Sequence, residues 1–258
     1  MWGWLGFKNN NDNQLGKKIT HNNHLGNKPN ELYEEIETED VFNNLSPEEK
    51  ISALISKSIY DDNKKTNIGG YIYQPEDSYD NMNTYYNPKL NKVIIGHRGS
   101  KFSSAPMSDL FSDAIITFGI DKTYDPRFNR NKERINSIID KYGKDTEYQH
   151  TGHSLGGSHS KAYGKLYGHK SINFNTGSGL DYIWGKEARL RKECEKPNPP
   201  KYCNLSTDIS ISGDILSKIN NWLGIGYGKK KVFTKPSLGM FDILKKHKIK
   251  TFLNAETI

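Results

Sequence analysis

Residues 151–157 read Thr-Gly-His-Ser-Leu-Gly-Gly and contain the pattern Gly-x-Ser-x-Gly. In this pattern the serine stands at the tip of a tight turn from a strand into a helix, where its backbone angles are strained. Gly152 and Gly156 are needed on either side, because a side chain there would collide with the strand or the helix. The turn directs the Ser154 oxygen outward, beside the free N–H groups that begin the helix. The pattern predicts a nucleophilic serine at this position.

The sequence on both sides of this turn contains the elements that the turn requires. Residues 128–142 predict a helix, and residues 147–151 predict a short strand that leads into the turn. Small residues follow the serine and let a helix pack close to a sheet: Gly156, Gly157, Ser158, Ser160 and Ala162. The alternative is chance occurrence in a glycine-rich loop. The stretch 148–151, Tyr-Gln-His-Thr, is also more polar than expected for a central buried strand.

The order of the other elements predicts the fold class. Residues 46–49, Ser-Pro-Glu-Glu, are a helix start, because the serine caps the first turn and the glutamates favour its positive end. Residues 93–95 form a short apolar run that is typical of a buried strand. Further strands are predicted at 71–73, 172–176 and 209–211, and a further helix at 240–246. This alternation predicts an α/β fold with a mainly parallel central sheet flanked by helices.

The length and charge of the chain limit its class and its partners. The 258 residues are enough for one sizeable core or two small ones. The net charge of +7 favours anionic surfaces, so a peripheral contact with an anionic membrane surface is one expectation. The lysines are spread along the chain without a nucleic-acid motif, so we expect a solvated basic surface and no nucleic-acid partner.

The distribution of polar and apolar residues predicts one domain with an extension. Residues 1–45 are polar and rich in asparagine, and we expect them to be a partly disordered extension before a domain at 46–258. No apolar run is long enough to cross a membrane, and the apolar stretch 1–7 is too short for the core of a signal peptide. These features favour a cytoplasmic or virion-associated protein. Cys194 and Cys203 flank a proline-rich turn and form either a local disulfide or two free thiols.

A nucleophilic serine needs a base to take its proton and an acid to orient that base. In hydrolases with this turn the chain order is serine, then acid, then histidine. His247 lies well downstream of the strand at 207–212 and is the predicted base. His169 also follows the serine, but it falls at the opposite edge of the predicted sheet.

Three aspartates compete for the role of the acid. Asp214 follows the carboxyl end of a predicted strand, in a loop where catalytic groups belong, and it is the predicted acid. Asp181 is the alternative. Asp208 falls at the start of its strand, which is the wrong end for a catalytic group.

The negative charge that develops on the substrate oxygen needs two N–H donors, which together form an oxyanion hole. We assign one to Leu155, the residue after the serine. The other is assigned to Ser100, which follows the apolar strand in the sequence Arg98-Gly99-Ser100 and whose hydroxyl can help. Arg98 itself has an alternative, purely structural role in which it pairs with a carboxylate beneath the site.

Several of these stretches resemble the class 3 lipases, the family of the fungal triacylglycerol lipases. Residues 152–157 look like the family's serine turn at every position, and residues 93–100 are similar to its apolar strand followed by Arg-Gly-Ser. Residues 174–178 more weakly resemble the family's strand after the serine helix. Residues 211–215 weakly resemble its segment with the acid, and residues 247–252 its segment with the histidine. The resemblance spans residues 67–253. It implies an α/β-hydrolase fold, hydrolysis of carboxylic esters and a triad of Ser154, Asp214 and His247.

The sequence therefore predicts a serine carboxylic-ester hydrolase that acts on lipid esters through an acyl-enzyme, with no metal or cofactor. One alternative is a non-catalytic structural or binding protein on a lipase fold, such as a virion component, which the polar strand and the aromatic N-terminus favour. The other is a phospholipase A-type hydrolase, which the basic charge favours. The stretch 102–107 is short and barely apolar, so we expect no large lid over the site.

Overall fold

The structure is a computed structural model that describes residues 17–18, 33–99, 126–176, 186–194, 196–214, 227–238, 246 and 248–254. Within these residues ten strands form one sheet. Their bounds are β1 Lys17–Lys18, β2 Tyr33–Glu37, β3 Asn67–Ile68, β4 Tyr71–Tyr73, β5 Met82–Asn87, β6 Lys92–His97, β7 Glu147–His153, β8 Lys170–Phe174, β9 Ser206–Ile211 and β10 Lys229–Thr234. Their order across the sheet is β1-β2-β10-β9-β8-β7-β6-β5-β4-β3.

The centre of the sheet is parallel and both of its margins are antiparallel. Strands β2, β10, β9, β8, β7 and β6 run parallel to one another, whereas β1 at one margin and β5, β4 and β3 at the other are antiparallel to their neighbours. The predicted mainly parallel sheet is confirmed. Because parallel strands place their carboxyl ends at one edge, the residues that follow β6, β7, β8 and β9 meet there.

Helices cover both faces of the sheet, which gives the predicted α/β-hydrolase architecture. The α-helices of the described residues are α1 Pro47–Ser58, α2 Pro126–Tyr142, α3 Leu155–Tyr167 and α4 Lys186–Cys194. Short 3-10 helices lie at Pro75–Asp77, Lys201–Asn204 and Ile249–Phe252. None of the helices in this part of the chain is both long and apolar enough to span a bilayer.

Helix α1 begins where the sequence predicts, at a capping box. The Ser46 hydroxyl accepts the N–H of Glu49 at 3.3 Å, and the Glu49 carboxylate accepts the N–H of Ser46 at 2.7 Å. Two orphan donors of the first turn are thereby satisfied. On one face of the sheet α1 buries Ile55 against Ile94 of β6. On the other face α2 and α3 bury Ile135 and Tyr163 against β6 and β7.

The domain begins earlier than residue 46, where the sequence placed its boundary. Strand β2 pairs in parallel with β10, and Val41 and Leu45 are buried in the cluster that holds Phe174 and Phe233. These apolar side chains bring residues 33–45 into the core, whereas the sequence placed them in the polar extension. Apart from Lys17 and Lys18, the earlier part of the predicted extension lies outside the described residues.

The polar strand β7 lies in the middle of the sheet, between β6 and β8, and only Glu147 at its start is exposed. On the α1 side, Gln149 donates to the Ser52 hydroxyl at 2.8 Å. The Thr151 hydroxyl donates to the Ile172 carbonyl at 2.7 Å and lies 2.9 Å from the Ser56 hydroxyl. The serines of α1 therefore provide partners for the Gln149 amide nitrogen and the Thr151 hydroxyl, which would be costly to bury alone.

On the opposite face of β6 and β7, three histidines form a hydrogen-bonded row. His97 Nε2 lies 3.0 Å from His150 Nδ1, and His150 Nε2 lies 3.2 Å from His169 Nδ1. His97 and His150 are completely buried. Burial lowers the pKa of both rings well below the usual value for histidine. Charge interactions with His159 and Arg127 also lower the pKa of His97, and interactions with His97 and His169 also lower the pKa of His150. Burial also lowers the pKa of the partly exposed His169, to about 4. We call these three residues the histidine row.

Cys194 and Cys203 form a disulfide, so of the two alternatives left by the sequence the structure has the local bridge. It joins the end of α4 to the 3-10 helix Lys201–Asn204, across a sequence separation of 9 residues. Tyr202, beside the bridge, donates to the Glu193 carboxylate and stacks its edge against Tyr227. The two ends of the proline-rich turn are therefore held together by a covalent and a polar contact, and Tyr202 packs against Tyr227 outside the turn.

Candidate active site at the carboxyl edge of the sheet

Ser154 lies between the end of β7 and the start of α3, as the sequence pattern predicts. Its φ of 59° and ψ of −128° are unusual for a residue with a side chain. Its N–H donates to the Phe174 carbonyl of β8 at 3.0 Å, and its carbonyl accepts the N–H of Ser158 at 3.2 Å. The turn is thus tied to the neighbouring strand on one side and to the first turn of α3 on the other.

The glycines of the turn are required by close backbone contacts. A Cβ on Gly152 would lie 2.4 Å from the carbonyl carbon of Gly156, and a Cβ on Gly156 would lie 2.1 Å from the carbonyl oxygen of His97. A Cβ on Gly157 would lie 2.7 Å from the Thr176 hydroxyl. These distances are far shorter than van der Waals contact, so helix α3 can approach β6 and β7 only because these positions lack side chains.

Asp214 lies at the same edge of the sheet, in the turn that follows β9. Its N–H donates to the Ile211 carbonyl at 2.9 Å, and the residue is completely buried. Strands β7 and β9 are separated by β8 alone, so their backbones are roughly 10 Å apart. One imidazole ring between a serine and an aspartate side chain spans about that distance. The position therefore suits the predicted orienting acid.

Asp208, which the sequence places at the wrong end of its strand, takes part in a buried ion pair. Its carboxylate accepts a hydrogen bond from Lys161 of α3 at 2.5 Å and another from Asn173 of β8 at 3.0 Å. The Lys161 ammonium also lies 4.4 Å from the centre of the Tyr227 ring. Asp208 thus links the serine helix to the sheet and does not reach the carboxyl edge.

Leu155 is the first residue of α3, so its amide belongs to the free N-terminal turn where the sequence placed an oxyanion donor. The other predicted site residues, Ser100, Asp181 and His247, lie outside the described residues. Lys246, directly before His247, is described, and its carbonyl accepts a hydrogen bond from the Asn175 amide at 2.7 Å.

Asn175 is a central contact at this edge that sequence reasoning missed. It follows β8 with a φ of 41°, and its side chain is completely buried. Its Oδ1 accepts the N–H of Ile211 at 3.0 Å while its Nδ2 donates to Lys246. One side chain therefore joins the ends of β8 and β9 to the segment that precedes His247. Asparagine is one of the few residues that commonly adopt a positive φ, which is the only local signal.

Tyr60, just after α1, is a second residue that sequence reasoning missed. Its hydroxyl accepts the N–H of Gly99 at 2.8 Å. Its ring lies edge-on to His153, with 6.3 Å between ring centres, and the Arg98 guanidinium lies 5.7 Å from its centre. Burial raises the pKa of Tyr60 to about 12, against the opposing effects of the Gly99 hydrogen bond and of Arg127 and Arg98. Tyr60 therefore connects the loop after β6 to the residue before the serine.

The sequence allowed Arg98 a purely structural role, and its contacts in the described part of the chain are structural. Its guanidinium donates to the Asp80 carbonyl at 3.2 Å rather than to a carboxylate. Its own carbonyl accepts a hydrogen bond from Arg127. The two guanidinium groups thus hold the end of β6 and add positive charge near Tyr60.

Among the residues that the structure describes, no group of three or more histidine, cysteine, aspartate or glutamate side chains is arranged to hold a metal ion. The histidine row is linear, with each ring bonded to the next, and does not converge on one point.

Comparison with protein-family models and with curated proteins finds no match. Among solved structures, a mutant form of MDLA from Penicillium cyclopium is 12% identical over 73% of this chain and 81% of that chain, with a TM-score of 0.46. A triacylglycerol lipase from Penicillium expansum is 14% identical, with 73% and 79% covered and a TM-score of 0.44. A lipase from Rhizopus microsporus var. chinensis is 13% identical, with 82% and 86% covered and a TM-score of 0.45.

Proposed function

We propose that the protein is a serine carboxylic-ester hydrolase of the class 3 lipase type, acting on lipid esters through an acyl-enzyme. The observation that carries the proposal is the backbone of Ser154, a residue with a side chain held at positive φ between a buried parallel strand and a helix. Strain of this kind persists where the surrounding structure enforces it, and it is concentrated at functional sites. The position of Asp214, two strands away at the same edge, supports the proposal.

In the proposed mechanism the Ser154 oxygen attacks the ester carbonyl carbon while His247 takes the serine proton. Asp214 orients the histidine and stabilises its protonated form. The amides of Leu155 and Ser100 hold the negative oxygen of the tetrahedral intermediate. The alcohol leaves with the proton from His247, and water then releases the acid from the serine by the same steps.

The polar strand β7 no longer favours a non-catalytic protein, because its side chains have hydrogen-bond partners on α1 and in the histidine row. The lipid character of the substrate is supported by the sequence resemblance alone. Parallel assays with p-nitrophenyl acetate, tributyrin and phosphatidylglycerol vesicles separate a general esterase, a lipase and a phospholipase.

The test of the chemistry is hydrolysis of p-nitrophenyl butyrate, together with labelling by a fluorophosphonate probe. Ser154→Ala should abolish both, whereas Ser158→Ala should leave both unchanged. Ser158 is a matched control, because it lies one turn further along α3 and its buried hydroxyl has no hydrogen-bond partner among the described residues. A folded wild-type protein that neither reacts with the probe nor hydrolyses any of the esters would instead be a non-catalytic protein on this fold.

A further inference from the structure

We propose that the Tyr60 hydroxyl donates a hydrogen bond to the substrate carbonyl oxygen as the Ser154 oxygen attacks. This inference rests on the proposed ester hydrolysis, since it assigns a further catalytic residue to that reaction. Tyr60 follows helix α1, far from the serine in sequence, and no motif in the chain pointed to it.

The hydroxyl of Tyr60 lies beside the serine turn. A Cβ built on Gly99 would lie 2.6 Å from the Tyr60 hydroxyl, 2.7 Å from the carbonyl oxygen of His153 and 3.4 Å from the backbone nitrogen of Gly156. One point in space is therefore close to the hydroxyl, to the residue before Ser154 and to the residue two positions after it. The phenol reaches the serine turn from the side of the loop after β6.

The proton of this hydroxyl is available for donation. The phenol oxygen accepts the N–H of Gly99 at 2.8 Å, which uses a lone pair and leaves the O–H group as a donor. Among the described residues no oxygen or nitrogen accepts that proton. Because burial raises the pKa of Tyr60 to about 12, the phenol keeps its proton at neutral pH.

The ring is held in place before any substrate binds. The Tyr60 N–H donates to the Lys57 carbonyl at 3.0 Å, in the last turn of α1, and the ring packs edge-on against His153. The Arg98 guanidinium lies over the ring, which adds positive charge near the position where the oxyanion forms. A donor fixed in this way stabilises a developing negative charge without reorganisation, which is the source of its catalytic effect.

The step is balanced without any further reactant. The Ser154 oxygen forms a bond to the carbonyl carbon, and the π electrons of the C=O bond move to the carbonyl oxygen. The serine proton goes to the base. Tyr60 keeps its own proton throughout, and its hydrogen bond to the carbonyl oxygen becomes shorter and stronger as that oxygen becomes negative.

The experiment compares Tyr60→Phe with wild type on an oxygen ester and on the matching thionoester, whose carbonyl oxygen is replaced by sulfur. The variant keeps the ring and its contacts but loses the hydroxyl. Since removal of one oxyanion donor typically costs about 10²-fold or more in kcat, we expect a loss of about that size on the oxygen ester with KM little changed. Sulfur accepts weaker hydrogen bonds, so kcat on the thionoester should fall by at least tenfold less.

Tyr85→Phe is the matched control. Its hydroxyl donates to the Lys65 carbonyl at 3.0 Å and lies 3.1 Å from the Ser58 hydroxyl, in the region of α1 but away from the serine turn. It should leave the ratio between the two esters unchanged. If Tyr60→Phe does not fold, site-specific replacement of Tyr60 by 3-fluorotyrosine keeps the hydroxyl and makes it a stronger donor. That replacement should raise kcat on the oxygen ester more than on the thionoester.

The outcomes separate this inference from the proposed function. Equal losses on both esters would mean that Tyr60 only holds the Gly99 turn, and unchanged rates would mean that it has no part in the reaction. Either result overturns the inference while ester hydrolysis stands. A wild type that hydrolyses neither ester and does not react with a fluorophosphonate instead overturns the proposed function, and the inference with it.

Discussion

Acidification should destabilise the folded protein through the histidine row. Burial lowers the pKa of His97 and His150 well below 6.5, so both resist protonation in the folded protein as the pH falls. In the unfolded chain each of them binds a proton below about pH 6.5. The unfolded state then carries more protons than the folded state. The free energy of unfolding therefore falls as the pH drops below 6.5, until the folded pKa values are reached.

The size of the effect follows from the number of neutral buried rings. Each ring removes about 1.4 kcal/mol per pH unit well below pH 6.5, so His97 and His150 together remove about 2.7 kcal/mol per unit. Over the pH interval in which both rings stay neutral in the folded protein, each pH unit therefore removes a large share of the roughly 5–15 kcal/mol that stabilises a typical domain. His169 is partly exposed, and it adds less because solvent screens its charge.

Urea denaturation at a series of pH values from 7.5 to 5 measures this slope directly. His150→Gln keeps a donor and an acceptor in the row but removes one titrating group, so its slope should fall to about 1.4 kcal/mol per pH unit. Ordinary carboxylates contribute little above pH 5, because they remain ionised in both states. A wild-type slope below about 1 kcal/mol per unit, or the same slope in His150→Gln, would refute the reasoning.

Three further predictions concern single contacts in the fold. Thr151→Val leaves the buried Ser56 hydroxyl without its partner and should cost about 1–3 kcal/mol of unfolding free energy, whereas the double variant with Ser56→Ala should lose less than the sum of the two single changes. Asn175→Gly relieves the positive φ but removes the hydrogen-bond partners of two backbone groups. We expect the unfolding free energy measured in urea to fall by about 1–3 kcal/mol. A gain in stability would contradict the anchoring role. Reduction of the Cys194–Cys203 bridge should lower the unfolding free energy by about 2–3 kcal/mol. Replacing both cysteines with serine should have the same effect. Unchanged denaturation in reducing buffer would show that the bridge is not formed.

The sequence predicted those parts of the fold that carry a local signal. The capping residues around Ser46 marked the start of α1, and the apolar run at 93–95 marked β6. The glycine spacing around Ser154 marked the turn between β7 and α3. In each of these cases the local chemistry and the final packing require the same residues, so the pattern can be recognised without the tertiary structure.

Strands β2 and β10 were missed because their stability comes from each other. Strand β10 begins with three lysines and β2 contains three glutamates, and neither alternates in the way that marks a half-buried strand. The structure pairs them in parallel, with Lys231 opposite Glu34 and its ammonium 2.9 Å from the Glu49 carboxylate of α1. This complementarity joins residues nearly two hundred positions apart, and it is visible only once they lie side by side.

The sequence predicted the candidate residues whose proposed roles follow a known order along the chain, and it missed those that are defined by tertiary contacts. Ser154 and Asp214 are at the carboxyl edge of the sheet, as the serine–acid–histidine order requires. Tyr60 and Asn175 are defined by contacts with backbone groups far along the chain, and a tyrosine after a helix or an asparagine after a strand is too common to indicate such a role. The polar residues of β7 were noticed, but their partners on α1 had no sequence signal.

The glycines around the serine have a consequence for how this sequence can drift over time. Gly152 and Gly156 are constrained by backbone atoms within 2.4 Å of any added Cβ, and this constraint holds whether or not the protein turns over a substrate. A lineage that had lost its activity would still have to keep them in order to fold. Ser154, in contrast, holds a positive φ with a side chain in place, and replacing it by glycine would relieve the backbone. Among divergent copies of this gene, the serine is therefore the residue whose retention reports selection for chemistry, while the glycines report selection for the fold.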